Sequence, residues 1–229
     1  MNANLMHIHK ENYFRIVKEA EAHKATLVAV SKTKPNEAIR ELYDLGHRDF
    51  GENYVQELVE KQAVLPTDIR WHFIGHLQTN KVKYIAPFVH LIHGIDSFKL
   101  LKEVNKQAEK NNRIIDVLLQ VHIAQEETKF GLDEKELDEI VNPDLKHELH
   151  ALKNIRIRGL MGMASFSDDV NLVRSEFNIL KSLYDKYAEL QTPHFKLQIL
   201  SMGMSADYQT ALGEGSNMIR IGSLLFGSR

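Results

Sequence analysis

Eight short apolar runs, separated by seven amphipathic stretches, extend along the sequence from residue 26 to residue 227. The first run, Thr26–Lys32, is rich in β-branched residues, and the last is Met218–Gly227. Apolar strands that alternate with helices are typical of a parallel sheet covered by helices on both faces. Eight such units in 229 residues predict an α/β fold, a single (β/α)8 TIM barrel with little decoration. The other predicted strands are Arg48–Glu52, Trp71–Leu77, Phe88–Ile95, Ile114–Ala124, Ile155–Ala164 and Leu197–Met204.

The amphipathic stretches predict the helices of this barrel. An extra helix in residues 1–24 precedes the barrel, which we predict over residues 26–227. No segment rich in proline, glycine and serine divides the chain, so we expect residues 1–229 to form one domain. The alternative is an open, doubly wound sheet, but no G-x-G-x-x-G fingerprint of its dinucleotide-binding form follows the first strand. Ser97 is predicted to cap the N-terminus of one helix, and Gly46 to terminate another.

Composition and charge exclude several classes of protein. The chain has no cysteine, which excludes disulfide frameworks, thiol nucleophiles, cysteine-ligated zinc and iron–sulfur clusters. Its 29 basic residues against 31 acidic ones argue against a nucleic-acid or membrane partner bound mainly by charge. The N-terminus lacks the pattern of a secretory signal, and no apolar run approaches the roughly 18 residues of a membrane span. We therefore expect a cytoplasmic enzyme or small-molecule binder.

The twelve histidines do not form a recognisable metal motif. His72 and His76 are four residues apart on a predicted strand, where that spacing does not make side chains converge. His147 and His150 are three apart on a predicted helix and lack the H-E-x-x-H spacing of zinc proteases. No metal site is expected.

Lys32 lies at the end of the first predicted strand, and TIM barrels place their active sites at the C-terminal ends of the strands. Side chains alternate along a strand, so Lys32 shares a face with Val30 and Val28. On the interior face, desolvation would favour the free amine, which attacks a carbonyl to form a Schiff base. The alternative is a surface lysine that extends its ammonium group into water.

Two later strand ends carry small residues that suit an anion. TIM barrels often bind phosphate with the loops after strands 7 and 8. The segment LSMGMSADY supplies Ser201, Gly203 and Ser205, and RIGSLLFG supplies Gly222 and Ser223. Gly203 permits close approach of the backbone to a ligand, and Ser205 is predicted to cap the following helix. Backbone N–H groups in both loops would then face a phosphate, although tight turns with ordinary caps explain the same residues.

Arg220 alternates with Ile219 and Ile221 in the last apolar run. A buried arginine has to pair with an acid or make a specific contact. Pairing with Glu214 is the ordinary interpretation, and a fixed cation beside a ligand heteroatom is the functional one. Beside a pyridine nitrogen, an arginine would keep that nitrogen unprotonated. Together with Lys32 and the two loops, Arg220 predicts a site for pyridoxal 5′-phosphate.

The sequence resembles the pyridoxal phosphate homeostasis proteins, whose barrel is similar to the N-terminal domain of bacterial alanine racemase. The resemblance runs in order from the first strand to the eighth, and the combination of segments is specific. The matching segments are AVSKTKP (29–35), FGENYVQE (50–57), WHFIGHLQTNK (71–81), KFG (129–131), GLMGMA (159–164), LSMGMSADY (200–208) and RIGSLLFG (220–227).

The resemblance implies that Lys32 forms the Schiff base with pyridoxal phosphate. It places Arg220 near the pyridine nitrogen, and Asn53, which follows the second strand, at the cofactor. His76 and Met163 would lie on the rim or wall of the site. Six residues would surround the phosphate: Ser201, Gly203, Met204, Ser205, Gly222 and Ser223.

The chain departs from the family pattern at three positions. His122 stands where asparagine is expected in the fifth strand, and Asn217 stands where threonine is common before the last strand. Gly162 replaces a bulkier residue. These departures concern the wall of the site and leave the Lys32 linkage unaffected.

The resemblance implies a non-catalytic role in intracellular vitamin B6 homeostasis, with consequences for amino-acid metabolism. The protein would hold the cofactor reversibly and buffer it or deliver it, through transient contacts with pyridoxal phosphate-dependent apoenzymes. The alternative is a racemase-like enzyme. Racemisation needs two acid/base groups on opposite faces of the substrate, and racemases of this fold take one of them from a second, β domain across a dimer.

The position of the last residue bears on that choice. The sequence ends at Arg229, directly after the eighth predicted strand, so we expect no β domain, no catalytic residues and a monomer. A third hypothesis is a phosphate-binding barrel enzyme with an aldolase-type lysine, which predicts no bound chromophore.

Overall fold

The computed structural model describes residues 7–126, 130–141, 149–190 and 192–227. Within them, eight parallel strands follow one another in sequence order around a closed barrel, and the last strand pairs with the first. The predicted TIM barrel is confirmed. The strands are β1 Thr26–Val30, β2 Asp49–Glu52, β3 Arg70–Phe73, β4 Leu91–Ile95, β5 Ile115–Gln120, β6 Ile155–Met161, β7 Phe195–Ser201 and β8 Met218–Ile221.

Helices or helical turns connect the strands. Ser97 Oγ accepts a hydrogen bond from the Leu100 N–H at the start of α5, so the predicted cap is confirmed. Gly46, with a φ of 95°, follows the end of α2 as predicted. The helices are α1 Lys10–Ala22, α2 Asn36–Asp44, α3 Val55–Val64, α4 Val82–Ile85, α5 Phe98–Lys110, α6 Glu134–Val141, α7 Val170–Ala188, α8 Tyr208–Gly213 and α9 Ser223–Phe226, with short 3-10 turns at Thr79–Lys81 and Leu149–Ala151.

Alternation along each strand separates the buried apolar residues into two layers. Ile219 and Ile221 belong to the larger layer, which joins outward-facing strand residues to the buried faces of the helices. Arg220, between them, is in register with Val28 on the neighbouring strand, and its side chain enters the interior of the barrel. The interior layer consists of Val28, Leu91, Leu118, Met161 and Met218.

Helix α1 packs against β1 and the short α9. The His9 N–H donates to the Leu225 carbonyl oxygen over 2.8 Å, and Asn12 Nδ2 donates to the Leu224 carbonyl oxygen over 3.0 Å. The helix therefore fastens α9, which follows the strand that carries Arg220. Its buried side chains are Tyr13, Ile16 and Ala20.

Several strands end earlier than their apolar runs predict. β3 ends at Phe73 rather than Leu77, and β5 ends at Gln120 rather than Ala124. The residues beyond these ends leave the ladder and enter the loops at the C-terminal edge of the barrel. Leu77 is nonetheless buried, so an apolar run marks burial and does not mark where strand pairing stops.

The last predicted strand, Met218–Gly227, is wrong in its second half. β8 ends at Ile221, and Ser223–Phe226 form α9. Leu225 and Phe226 are buried in that helix. Periodicity does not distinguish so short an apolar run in a strand from the same run in a buried helix.

In the part of the chain that the structure describes, no helix combines the length and apolar character needed to cross a membrane. Parts of the sequence predictions lie outside the described residues, namely residues 1–6 of the first predicted helix, Lys129 of the KFG segment, His147 and Arg229.

Candidate functional site

A cavity of about 640 Å³ lies at the C-terminal ends of the strands. The loops after β1, β6, β7 and β8 supply most of its lining. This is the edge at which TIM barrels place their active sites. Eight of the eleven residues predicted from the sequence line this one cavity: Lys32, Asn53, Met163, Met204, Ser205, Arg220, Gly222 and Ser223.

Lys32 lies half-buried in a tight turn directly after β1. The Lys34 N–H donates to the Ser31 carbonyl oxygen over 3.0 Å and closes the turn. Thr33 has a φ of 63°, in the left-handed region that residues with side chains rarely adopt. The Glu57 carboxylate accepts a hydrogen bond from the Thr33 N–H over 2.5 Å and holds that conformation. The turn therefore presents Lys32 to the cavity from a fixed backbone.

A buried ion pair lies behind this turn. Lys61 Nζ donates to Glu52 Oε1 and to the Ser31 carbonyl oxygen, each over 2.7 Å. The same ammonium group donates to Glu57 over 2.7 Å, so it connects both acids that hold the turn. Burial raises the pKa of Glu52, and Lys61 opposes that shift. Because Ser31 immediately precedes Lys32, this pair anchors the backbone from which the Lys32 side chain extends.

Arg220 lines the cavity from β8 and is 3% exposed. Its Nη1 donates to Ser201 Oγ over 2.6 Å, and its Nη2 donates to the Gly162 carbonyl oxygen over 3.0 Å. Among the described residues no carboxylate forms an ion pair with Arg220, and Glu214 pairs instead with Arg174. The alternative interpretation, a salt bridge between Arg220 and Glu214, is therefore wrong. Burial lowers the pKa of Arg220 to about 10, so the guanidinium stays charged at neutral pH.

Two loops bring backbone N–H groups to the cavity. Within the described residues, the N–H groups of Ser205, Ala206 and Ser223 have no acceptor. The Gly222 N–H donates to Ser205 Oγ over 3.3 Å and so joins the two loops. Helix α8 begins at Tyr208, too far along for Ser205 to cap it, and that predicted cap is wrong. Convergent N–H groups of this kind suit an anionic ligand group.

Asn53 follows β2 and lines the cavity. Its Oδ1 is buried and has no hydrogen-bond partner in the described residues. A Cβ atom at Gly75 would lie 2.2 Å from the Asn53 carbonyl oxygen, so only glycine lets the loop after β3 pass this close. A buried amide oxygen without a partner costs free energy unless a ligand donates to it.

Comparison with known proteins identifies the family. A family model described as alanine racemase, N-terminal domain, matches residues 7–229. A pyridoxal phosphate homeostasis protein of Aquifex aeolicus (strain VF5) is 44% identical over 207 residues, which cover 90% of this chain and 87% of that protein. This chain belongs to the pyridoxal phosphate homeostasis protein family.

Solved structures agree with this family assignment. PipY of Synechococcus elongatus PCC7942, solved with pyridoxal phosphate bound, has a TM-score of 0.83 and 34% identity, over 95% of this chain and 99% of PipY. Alanine racemase of Clostridium difficile 630 has a TM-score of 0.72 at 17% identity. The match covers 95% of this chain and 60% of the racemase, and at that identity it shows the shared fold alone.

The three remaining residues implied by the family resemblance are absent from the described lining of the cavity. Ser201 is fully buried and accepts the hydrogen bond from Arg220. Gly203, with a φ of 96°, offers its carbonyl oxygen to the Arg220 N–H over 3.0 Å. His76 is exposed, with Nδ1 3.0 Å from Asp96 Oδ2. Ser201 thus accepts from the Arg220 side chain, and Gly203 from its backbone N–H.

Two departures from the family pattern lie away from the described lining. His122 Nε2 lies 2.9 Å from the Glu126 carbonyl oxygen, within the loop after β5. Asn217 accepts from the Leu200 N–H and donates to the Gln198 carbonyl oxygen, which fastens the start of β8 to β7.

The third departure, Gly162, has a packing explanation. A Cβ atom there would lie 2.8 Å from Leu180 Cδ2 and 2.9 Å from Ile123 Cδ1. These two side chains fill the space that a bulkier residue would need. The Gly162 carbonyl oxygen remains in place to accept from Arg220.

In the loop after β6, the family resemblance places Met163 at the site, but the sequence does not identify residues 165–168, which also line the cavity. The anchor of this loop is Ser165, whose N–H and Oγ each donate to the buried carboxylate of Glu176 over 2.6 Å. Phe166, beside it, is 93% exposed. The anchor joins a loop to a helix across eleven residues, and no local sequence pattern connects the two positions.

The described residues bring together no set of three histidine, aspartate or glutamate side chains placed to hold a metal ion. His72 is buried, with its Nδ1 2.9 Å from His93 Nε2, whereas His76 is exposed. The two histidines noted in the sequence therefore do not share a site.

Proposed function

We propose that this chain binds pyridoxal 5′-phosphate and acts in intracellular vitamin B6 homeostasis. One observation carries the proposal, namely that Lys32, the buried cation of Arg220 and two loops with unpaired N–H groups line a single cavity. The relatives named for this role and the PipY structure with bound pyridoxal phosphate support it.

The lining of the cavity fits each part of the cofactor. The N–H groups of Ser205, Ala206 and Ser223 suit the phosphate, which accepts hydrogen bonds and is anionic. Arg220 suits the pyridine nitrogen, because a guanidinium group has only donors and keeps an adjacent nitrogen unprotonated. Asn53 adds an amide whose oxygen has no protein partner in the described residues.

We assign the covalent link to Lys32. The cofactor supplies an aldehyde, which condenses with a lysine amine to form a C=N bond and release one water molecule. The turn that Glu57 and Lys61 hold places Lys32 at the cavity, within reach of solvent. A link of this kind is reversible by hydrolysis, which suits a protein that buffers the cofactor or delivers it.

The proposed role is not enzymatic. Racemisation needs acid/base groups on both faces of the substrate, and racemases of this fold supply one as a tyrosine. The described lining of the cavity contains no tyrosine, and its titratable residues are Lys32, Lys34, Asp168, Asp207 and Arg220. Amino-acid racemase turnover that Lys32→Ala abolishes would contradict this part of the proposal.

We further propose that the protein is a cytoplasmic monomer and that it makes transient contacts with pyridoxal phosphate-dependent apoenzymes. Phe166 lines the cavity and is 93% exposed, so the cavity is accessible from that side. Sedimentation of the protein alone, and cofactor transfer to a purified apoenzyme, test the two statements separately.

The main test is an absorbance spectrum of the purified protein with pyridoxal phosphate, before and after borohydride. We expect a near-visible band that reduction removes, and a reduced adduct that peptide mass spectrometry places on Lys32. Lys32→Ala should lose the adduct. Lys34→Ala is the matched control, because Lys34 also lines the cavity but its Nζ donates to the carbonyl oxygens of Phe226 and Gly227. An adduct on Lys34, or no band, would overturn the assignment.

A further inference from the structure

A line of buried polar side chains crosses the interior of the barrel below the cavity. It starts at Asp49 in β2, passes through His72 in β3 and His93 in β4, and reaches Arg220 in β8 through Ser201. His93 and Ser201 are fully buried and His72 is 1% exposed. Neither the binding of the cofactor nor the link to Lys32 uses Asp49, His72 or His93.

Each neighbouring pair in this line is at hydrogen-bonding distance. The distances are 2.6 Å from Arg220 Nη1 to Ser201 Oγ, 3.3 Å from Ser201 Oγ to His93 Nδ1, 2.9 Å from His93 Nε2 to His72 Nδ1, and 3.0 Å from His72 Nε2 to Asp49 Oδ1. At the far end, Arg70 Nε donates to Asp49 Oδ1 over 2.7 Å.

The two ends of the line fix the direction of every hydrogen bond in it. Arg220 has only donors, so Ser201 Oγ accepts from it and its own hydroxyl proton is directed to His93 Nδ1. A histidine that accepts at Nδ1 carries its proton on Nε2, and His93 therefore donates to His72. His72 in turn donates from Nε2 to the Asp49 carboxylate, which has only acceptors.

The opposite arrangement fails at the Ser201 end whatever the charge of His72. With the proton on Nδ1, His93 would donate to Ser201, whose hydroxyl proton would then have no acceptor among the described residues. His72 would point a lone pair at the Asp49 carboxylate unless it were charged. Buried groups left unsatisfied in this way cost free energy, so one direction is selected.

Charge also favours a neutral His93. Burial lowers its pKa well below the usual value, and His72, Arg220 and His90, the groups that face it electrostatically, act in the same direction. Asp49 stays ionised, because hydrogen bonds from Arg70 and His72 outweigh the effect of burial and hold its pKa low. The line therefore has an ionised carboxylate, Asp49, at one end and a charged guanidinium group, Arg220, at the other.

We propose that Asp49, His72 and His93 form a hydrogen-bonded relay that orients the Ser201 hydroxyl group and so holds the Arg220 guanidinium in place. His93 is the central positioning residue, because its ring joins the two strands β4 and β7 across the barrel. Without the relay, the guanidinium keeps its contact with the Gly162 carbonyl oxygen but loses the oriented acceptor on its other side. The consequence for cofactor binding rests on the proposed function, whereas the relay itself does not.

The first experiment uses the ligand-free wild-type protein. Two-bond ¹H–¹⁵N NMR spectra distinguish the two neutral tautomers of histidine from the cation. At pH 7 we expect His93 to be neutral with its proton on Nε2, and His72 to carry a proton on the Nε2 that faces Asp49. A cationic His93, or a neutral His93 with its proton on Nδ1, would overturn the proposal. This outcome does not depend on whether the protein binds pyridoxal phosphate.

The second experiment removes the central ring. His93→Phe deletes both nitrogen atoms, whereas His93→Gln keeps one donor and one acceptor in a side chain of similar reach. We expect the Arg220 Nε–H signal of the ligand-free protein to broaden or shift in His93→Phe, and to recover at least in part in His93→Gln. His47→Gln is the matched control, because the His47 ring is also buried but, among the described residues, its hydrogen bond is to the Asp49 carbonyl oxygen and not to a side chain of the relay.

The same variants test the effect on the cofactor. We expect His93→Phe to raise the dissociation constant for pyridoxal phosphate roughly fivefold, the usual effect of one lost hydrogen bond, and His93→Gln to raise it less. The relay would be overturned if both folded His93 variants kept the wild-type Arg220 Nε–H signal and bound pyridoxal phosphate with the same dissociation constant as His47→Gln. If the wild type binds no pyridoxal phosphate, the proposed function fails, and the two NMR measurements still decide the relay.

Discussion

The position of Lys32 depends on residues that do not line the cavity. The Lys61 ammonium group holds Glu52, Glu57 and the Ser31 carbonyl oxygen at once, and these three contacts fix the turn that presents Lys32. The turn needs such support because Thr33 occupies a left-handed conformation. At the scale of the residue, the lysine proposed to bind the cofactor is therefore placed by a second, buried lysine.

We expect Lys61→Met to lower the free energy of unfolding by about 3 kcal/mol, because it leaves Glu52 buried without its ion partner. Urea denaturation measures the loss. Lys181→Met is the matched control, since the Lys181–Asp185 pair is exposed and its removal should cost less than about 1 kcal/mol. Equal losses in the two variants would contradict the role given to Lys61.

At the scale of the element, the C-terminal ends of the strands are shaped by close approach of backbones. Gly75 follows β3 and passes against the Asn53 backbone after β2, where no side chain fits. Gly203 after β7 has a positive φ, and its carbonyl oxygen accepts from the Arg220 N–H. Glycine at these two points lets adjacent strands diverge into loops while the lining of the cavity stays closely packed.

We expect Gly75→Ala to lower the free energy of unfolding by about 2–3 kcal/mol, because its Cβ atom would collide with the Asn53 carbonyl oxygen. Gly213→Ala is the control, because a Cβ atom at the end of α8 meets nothing within 4 Å. That substitution should leave stability unchanged or raise it by about 0.5–1 kcal/mol. Thermal unfolding of both variants measures these changes in stability. If Gly75→Ala were as stable as the wild type, the loop after β3 would have to be able to move aside.

At the scale of the whole molecule, closure of the barrel buries titratable groups that the unfolded chain exposes. Burial lowers the pKa of His93 well below its usual value and also lowers that of His47. The pKa of Asp49 is lowered as well, because its bonds to Arg70 and His72 outweigh burial. All three groups make the folded protein bind fewer protons than the unfolded chain at acidic pH.

These three groups should therefore make the free energy of unfolding fall as the pH falls, and Glu52, whose pKa burial raises, opposes them. The two histidines lower the free energy of unfolding below about pH 6.5, which is their usual pKa in the unfolded chain. Each contributes a slope of at most about 1.4 kcal/mol per pH unit to the free energy of unfolding. Asp49 adds a further loss below about pH 4, down to its lowered pKa. Urea denaturation of the ligand-free protein from pH 8 to about pH 2 measures both ranges. His47→Gln should flatten the first range in part, and a wild-type stability independent of pH between 7 and 5 would contradict the prediction.

Much of the fold follows from local patterns. The repeated apolar runs predict the closed eight-stranded barrel, but they misplace several strand ends and assign Ser223–Phe226 to a strand. Those errors occur where side chains stay buried after strand pairing has stopped, because burial and pairing leave the same apolar signal. Eight of the candidate site residues line one cavity, since the C-terminal ends of all strands meet at one edge.

By itself, the sequence determined the barrel and the inward direction of Arg220, because strand alternation has a period of two and needs no distant contact. It also implied, through the family segments, which lysine faces the cofactor. Only the tertiary structure decided which buried polar groups meet. His93 and Ser201 are 108 residues apart and come together because the barrel closes. The same alternation that places Arg220 inward also points His72 and His93 inward, but their partners are set by register and closure, which are not local properties of the chain.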